Sequence, residues 1–356
     1  MSTHSDSTAD SAAMRRALDA ALAGPQVDPN PRVGAVVLDP RGAVAGVGHH
    51  DGAGTPHAEV VALDQAGERA RGGTAYITLE PCSHTGRTPP CTEALLLAGV
   101  SRVVYAVSDP DPLAAGGGRV LAEAGVVVRG GVLAEQAQAL VHPWAFAVRT
   151  GRPWVTWKVA ATLDGRVAAA DGTSAWITST AARGDVHELR ARCGAIVVGT
   201  GTALADDPWL TSRRPDGSLT ARQPLRVVVG HRDLPAGARL ADGAAPTLRL
   251  ATHDPAEVLA ELHRRAVRRV LLEGGPTLAA AFWRAGLVDE ALTYLAPALL
   301  GAGAPAVGDL GIGSISGITR LDVHDLARVG PDIRITSRPR AGEDSTARPR
   351  AVEEES

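Results

Sequence analysis

Short apolar runs alternate with helical stretches twice along the chain, once on each side of Thr150-Gly151-Arg152-Pro153. That alternation limits the fold to layered α/β architectures. Before the break, Val33–Leu38, Ala43–Val47, Thr74–Leu79, Arg102–Val107 and Val126–Val128 have strand character. The intervening His57–Ala66, Pro90–Ala98 and Arg119–Ala124 have helical character and run into Gly. Ser11–Ala23 predicts an opening helix with Met14, Ala17, Leu18, Ala21 and Leu22 on one face and Gly24-Pro25 as its stop. Ala134–Val148 is helical and leads into the break. Beyond it, Trp154–Ala161, Ala195–Val198, Leu225–Val229 and Arg269–Leu272 predict strands, Ser179–Arg192 and Pro276–Ala285 predict helices, and Gly-rich Leu299–Gly317 predicts loops. The expected division is a flexible start at 1–10, a first domain at 11–150, a second at 151–337 and a disordered tail at 338–356. That tail is Arg, Pro, Glu and Ser with almost no large apolar residue.

Charge and cysteines narrow the partners. Net charge is −3, with acids and Arg interspersed, so the basic stripe that a nucleic-acid binder uses against phosphates is missing. No apolar run reaches the roughly 18 residues of a membrane helix. Met1–Asp10 lacks a basic segment followed by an apolar core, so no secretory signal is expected. Cys82, Cys91 and Cys193 are too few for a disulfide scaffold. Reduced thiols in a cytoplasmic protein are the expectation, with no nucleic acid and no membrane as partner. The chain also holds a single Lys, Lys158, and a single Asn, Asn30. A composition biased toward Ala, Gly and Arg explains their rarity but not their positions.

The strongest chemical signal is His57-Ala58-Glu59 followed by Pro81-Cys82 and then Cys91. One imidazole and two thiolates suit Zn²⁺, and three protein ligands leave a fourth position open for chemistry. Glu59 opens the same helix as His57, where its carboxylate can move a proton as general acid/base. His-x-Glu with Pro-Cys and a later Cys is the pattern of zinc-dependent base deaminases, although here eight residues separate the two thiols. Taken singly, the same residues read as an exposed His, a buried acid and two core thiols.

Pro81-Cys82-Ser83-His84-Thr85-Gly86-Arg87-Thr88-Pro89-Pro90-Cys91 resembles the long zinc loop of the bifunctional deaminase/reductases of riboflavin biosynthesis. Asn30-Pro31-Arg32-Val33-Gly34, His50, Pro56-His57-Ala58-Glu59 and Leu79-Glu80-Pro81-Cys82 match that family in order. The resemblance implies an N-terminal cytidine-deaminase-like three-layer domain and a C-terminal dihydrofolate-reductase-like domain. It implies one Zn²⁺ on His57, Cys82 and Cys91, Glu59 as proton shuttle, and substrate contacts at Asn30, His50, His84, Arg87 and Asp109. Asp111 stands where the family more often has Asn.

In the second half, two Gly-containing turns, at Gly199-Thr200-Gly201 and Glu273-Gly274-Gly275-Pro276, each leave a strand and open a helix. Such turns favour phosphates. The third glycine and the ribose-binding acid of the dinucleotide fingerprint are missing, so by motif alone nucleotide binding stays open. Trp157-Lys158-Val159-Ala160-Ala161-Thr162-Leu163-Asp164-Gly165-Arg166, Ser174-Ala175-Trp176 and these turns resemble the family's reductase half in order. The resemblance implies NADPH contacts at Ala161, Trp176, Thr202, Asp206, Gly275, Pro276, Thr277 and Leu278. It implies substrate contacts at Lys158, Ser174, Arg190, Leu210, Arg213 and Glu273. Gly230 and His231 stand where the family carries an acid and a small hydroxyl residue. The implied activity is hydrolytic deamination of 2,5-diamino-6-(5-phosphoribosylamino)pyrimidin-4-one, then NADPH-dependent reduction of ribosyl to ribityl; a homo-oligomer is expected. Two other readings use the same residues. One is a deaminase of another base fused to an inactive reductase-like domain. The other is a zinc-stabilised binding module, which predicts four protein ligands where three are offered.

Overall fold

The computed structural model describes residues 8–85 and 89–340. Its contacts divide the chain into two compact units: Met1–Pro153 with Leu262–Arg268, and Trp154–Glu261 with Arg269–Ser356.

The first unit runs α1 (Thr8–Ala21), β1 (Gly34–Leu38), β2 (Val44–His49), α2 (Ala58–Ala66), β3 (Thr74–Leu79), α3 (Cys91–Ala98), β4 (Arg102–Val107), α4 (Gly117–Glu123), β5 (Val127–Gly130) and α5 (Ala134–Thr150). Its sheet has the order β2-β1-β3-β4-β5. β1 is antiparallel to β2 and β3, and the β3–β4 and β4–β5 pairs are parallel. Successive strand residues face opposite layers. Ala35, Val37, Ile77 and Val103 pack with Ala58, Ala62, Leu95 and Leu121 of α2, α3 and α4, while Val36, Tyr76 and Val104 pack with Met14, Ala17 and Ala137 of α1 and α5. Three layers result. Glycine sets the spacing where α2 crosses β2, because a Cβ at Gly46 or Gly48 would lie 2.0 or 2.4 Å from the Ala62 or Ala58 carbonyl oxygen.

The second unit runs β6 (Trp154–Thr162), α6 (Thr180–Ala191), β7 (Ala195–Gly199), α7 (Thr200–Asp206), β8 (Leu225–Val229), β9 (Thr247–Leu250), α8 (Pro255–Arg264), β10 (Arg269–Leu272), α9 (Pro276–Arg284), β11 (Glu290–Ala296), β12 (Leu321–Val329) and β13 (Asp332–Pro339). Its sheet order is β12-β13-β11-β6-β10-β7-β8-β9. The six strands from β11 to β9 are mutually parallel, and β13 and β12 add antiparallel at one edge. In such a sheet ligands bind beyond the carboxyl ends of the strands. Those ends carry the two Gly-containing turns.

Both expected termini need correction. Residues 8–10 are helical rather than part of a flexible start, because buried Asp10 anchors α1. It accepts two hydrogen bonds from Arg102 at 2.8 Å, one from Arg129 at 2.9 Å and one from the Tyr76 hydroxyl at 2.8 Å. Residues 338 and 339 belong to the sheet rather than to a tail, since Arg338 and Pro339 pair with Asp322 and Leu321 of β12. The rest of the expected tail beyond Arg340 lies outside the described residues.

Candidate active sites

The first site collects at the amino ends of two helices. His57 is the N-cap of α2 in extended conformation and makes no side-chain cap. Its ring instead meets the thiols: Nδ1 is 3.2 Å from Cys91 Sγ and 3.7 Å from Cys82 Sγ. Cys91 is the first residue of α3, and its backbone N–H, one of the amides a helix start leaves unpaired, donates to Cys82 Sγ at 3.3 Å. The three donor atoms lie within 4.8 Å of one another, the one such His/Cys/Asp/Glu cluster among the described residues. An N/S/S set this tight suits a borderline-soft divalent cation.

Protonation follows the same geometry. The Cys91 thiol donates toward Cys82, bringing Cys82 down to about 4 and pushing Cys91 up. The hydrogen bond to Cys82 raises His57 against the opposing effect of burial. Glu59, 5% exposed in the first turn of α2, is held above the usual carboxylate range by burial, with the His57 charge acting in the other direction. Raising a carboxyl in this way makes its neutral form more accessible, which suits a group that must both take and give a proton.

His57, Glu59 and Cys82 line a cavity of about 540 Å³ that also receives Asn30, His50, His84, Asp109 and Asp111. Nδ1 of buried His50 faces the Pro56 carbonyl at 3.0 Å and must donate, so Nε2 accepts from the Asn30 amide nitrogen at 3.0 Å. This commits one of the two Asn30 N–H donors and leaves the carbonyl oxygen and the second N–H for a ligand. The His50 ring stands edge-on to His57 with centroids 5.3 Å apart. Burial raises Asp109 to about 6. Arg87 lies outside the described residues.

The second site sits at the carboxyl ends of β6, β7 and β10. Arg190 of α6 grips Glu273, just past β10, through Nε at 2.7 Å and Nη2 at 2.9 Å, and its Nη1 donates to the Thr211 carbonyl at 3.1 Å. Burial pushes Glu273 up, but the Arg190 charge and hydrogen bonds bring it down to about 2, with Lys158 adding to the effect. Burial lowers Lys158 on β6, which Glu273 opposes. His187 faces the same Thr211 carbonyl at 3.1 Å and is lowered by burial and by Arg190. Arg213 donates to Thr211 Oγ1 at 3.2 Å and lies 5.2 Å over the Trp209 ring.

The two Gly-containing turns touch, because the Gly275 N–H donates to Thr202 Oγ1 at 3.0 Å. Gly275 is the N-cap of α9 and supplies no side-chain cap, and Pro276 has no N–H, so the amides that this helix start offers an anion begin at Thr277. A phosphate-bearing coenzyme fits such an end. Leu278 packs on Gly199 between the turns, and Asp206, raised by burial, accepts from Ser174. Trp176 is 75% exposed with Arg183 stacked 4.5 Å over its ring. The side chains of Ala161 and Leu210 are buried, so these positions offer a ligand main-chain atoms only.

His187, Thr211 and Trp144 also border the sites, and Glu80, part of the Leu79-Glu80-Pro81-Cys82 match, does so without a role that its sequence position shows. His187 and Thr211 lie within stretches that the resemblance covers, yet spacing alone gives a lone His or Thr no signal.

Comparison with known proteins matches this layout. Residues 7–107 match the cytidine and deoxycytidylate deaminase zinc-binding region, and residues 153–335 match the RibD C-terminal domain. The chain is 53% identical over 309 residues to the riboflavin biosynthesis protein RibD of Mycobacterium tuberculosis H37Rv, across 86% of this chain and 91% of that one. The Escherichia coli K12 RibD is 41% identical over 357 residues, 90% of this chain and 96% of that one. The solved structure of Acinetobacter baumannii RibD superposes with a TM-score of 0.84 at 39% identity, covering 93% of this chain and 99% of that one. A deaminase/reductase from Thermotoga maritima superposes with the same TM-score at 31% identity and the same coverage. The chain belongs to the RibD family, the bifunctional deaminase/reductases of riboflavin biosynthesis.

Proposed function

We propose that the first unit deaminates 2,5-diamino-6-(5-phosphoribosylamino)pyrimidin-4-one and that the second reduces the resulting ribosyl group, giving 5-amino-6-(5-phosphoribitylamino)uracil. The Thermotoga maritima relative is described as a diaminohydroxyphosphoribosylaminopyrimidine deaminase/5-amino-6-(5-phosphoribosylamino)uracil reductase, and this reading extends that activity to the present chain. The observation that carries it is Glu59, buried and raised, beside a three-donor cluster in a cavity that also holds Asn30 and His50.

His57, Cys82 and Cys91 would hold one Zn²⁺, whose Lewis acidity makes water a nucleophile at neutral pH. Glu59 takes the proton of the attacking water and delivers it to the departing amine. The C–O bond forms, the C–N bond breaks, ammonia leaves, and Glu59 ends in its starting state. The Asn30 carbonyl, turned outward by His50, accepts from the ring edge. His84, Arg87 and Asp109 complete the substrate contacts.

In the second unit NADPH would supply the hydride, bound by the turns around Thr202 and Gly275–Leu278 with Ala161, Trp176 and Asp206. Arg190 spends one N–H of each nitrogen on Glu273 and Thr211, which leaves two of its five donors for a phosphate. Arg213 provides a second cation. Lys158, Ser174, Leu210 and Glu273 shape the substrate's ribose end. The ribose phosphate is a handle shared by both substrates, which accounts for Arg87 in one unit and Arg190 and Arg213 in the other. Cytoplasmic residence and a homo-oligomer belong to the same reading. Three free cysteines support a reducing compartment; light scattering reads the oligomer.

The test is product mass from the phosphoribosyl-diaminopyrimidinone with and without NADPH. The expected products are the deaminated ribosyl compound without coenzyme and one two mass units heavier with it. Glu59→Gln should lower deaminase kcat by about 10²–10⁴-fold with zinc retained. Undiminished turnover in that variant would remove the assigned proton shuttle.

A further inference from the structure

Glu80 lies between the end of β3 and Cys82, borders the cavity and is 8% exposed. Both of its oxygens are engaged by main-chain amides: Oε1 accepts from Gly118 at 3.0 Å and Oε2 from Asp109 at 3.2 Å. Gly118 sits in the first turn of α4, whose N-cap residue, Gly116, offers no side-chain cap. Glu80 thus caps α4 from the loop after β3, filling the role that a Ser or Asp would play at the helix's own N-cap. The glycines permit the approach, because a Cβ at Gly117 would lie 1.8 Å from the Pro81 carbonyl oxygen and one at Gly118 3.3 Å from Glu80 Oε1.

The segment held this way, 109–118, is also gripped from the other side of Cys82. Ser83 donates through its N–H to the Ala114 carbonyl at 3.1 Å and through its hydroxyl to the Ala115 carbonyl at 2.9 Å. The same segment brings Asp109 and Asp111 to the cavity, and Asp109 Oδ1 accepts from the Asp111 N–H at 2.9 Å. The residues flanking one sulfur donor therefore hold the loop that carries two cavity carboxylates.

We propose that Glu80 is a positioning residue of the deaminase, fixing where Asp109 stands relative to the Cys82 side of the cavity. This rests on reading the cavity as the deaminase site. Absence of deamination in the unaltered protein would remove that reading, whereas the variants below test Glu80 itself.

Glu80→Gln keeps size and shape but turns one acceptor into a donor facing an amide. A hydrogen bond to a charged group is strong enough that its loss should raise deaminase KM roughly tenfold. Zinc content, reductase activity and, within about threefold, deaminase kcat should stay as they are. A merely structural role predicts loss in proportion to zinc and folded protein. The discriminating measurement is a double-mutant cycle with Asp109→Ala. If Glu80 acts through Asp109, Glu80→Gln raises KM less in the Asp109→Ala background than alone; an equal rise in both overturns the proposal. Should Glu80→Gln fail to fold, amide exchange in the unaltered protein decides. Asp109 and Gly118 amides protected like those of β4 support the clamp, and freely exchanging ones overturn it.

Discussion

The two sites solve the problem of buried polar groups in opposite ways. In the first unit His57, Cys82 and Cys91 converge within 4.8 Å, and the amide that opens α3, Cys91 N–H, donates to the Cys82 sulfur. Such a set is completed from outside, by a cation. In the second unit Arg190 of α6 and Glu273 at the end of β10 pair directly with each other, with Lys158 of β6 acting on the same carboxylate. The first site therefore depends on what binds it, the second on a pair within the unit. Removing one of the second leaves an uncompensated buried charge.

The largest expected effect tests the first half of that comparison. His57→Ala should lower zinc content to background and abolish deamination, while NADPH-dependent reduction of the deaminated substrate stays within about twofold of the unaltered chain. Metal analysis alongside both assays reads it. A parallel loss of reduction would mean that the two centres are not separable.

Next in size is Glu273→Gln. Breaking a buried pair by removing one partner costs about 3–5 kcal/mol, so the second unit should melt earlier and lose reduction, with deamination retained. The sign of the pH dependence follows from Glu273, whose folded value of about 2 lies below its ordinary 4.5. The pair's stabilisation is present above 4.5 and is lost as pH falls toward 2. Acid unfolding of the unaltered second unit should show this loss, and Glu273→Gln should not. Equal acid sensitivity of the two chains would show that the pair is not what holds this unit.

The comparison also explains what was legible in the sequence. His57 and Glu59 are two residues apart at a helix start, and Cys82 and Cys91 flank a short loop, so local spacing carries their chemistry. Arg190 and Glu273 stand 83 residues apart; no local pattern links them, and only the family resemblance pointed to both. Glu80 was legible as part of Leu79-Glu80-Pro81-Cys82 but not as the cap of α4, because its two partners lie 29 and 38 residues on. The core strands of both sheets show as apolar runs, whereas β12 is an exposed edge strand and leaves little hydrophobic pattern to read. Asp10, polar and near the amino terminus, read as flexible because its three partners come from β3, β4 and β5.

The smallest expected effect separates how each site is seated on its scaffold. A Cβ at Gly48 would lie 2.4 Å from the Ala58 carbonyl oxygen, inside the first turn of α2, and main chain there cannot yield without moving the helix that carries His57 and Glu59. A Cβ at Gly275 would meet Thr202 Oγ1 at 3.2 Å, a side chain that can shift by a few tenths of an ångström, and the Gly275 φ of −65° suits any residue. Gly48→Ala should therefore cost about 1–3 kcal/mol of stability and depress deamination more than reduction. Gly275→Ala should cost less than about 1 kcal/mol, with its effect confined to coenzyme KM. Thermal melts and the two assays on both variants check this. Equal costs at the two glycines would mean that the sheet–helix contact under α2 relaxes as easily as a hydroxyl, and that the donor cluster is not seated by the close approach at Gly48.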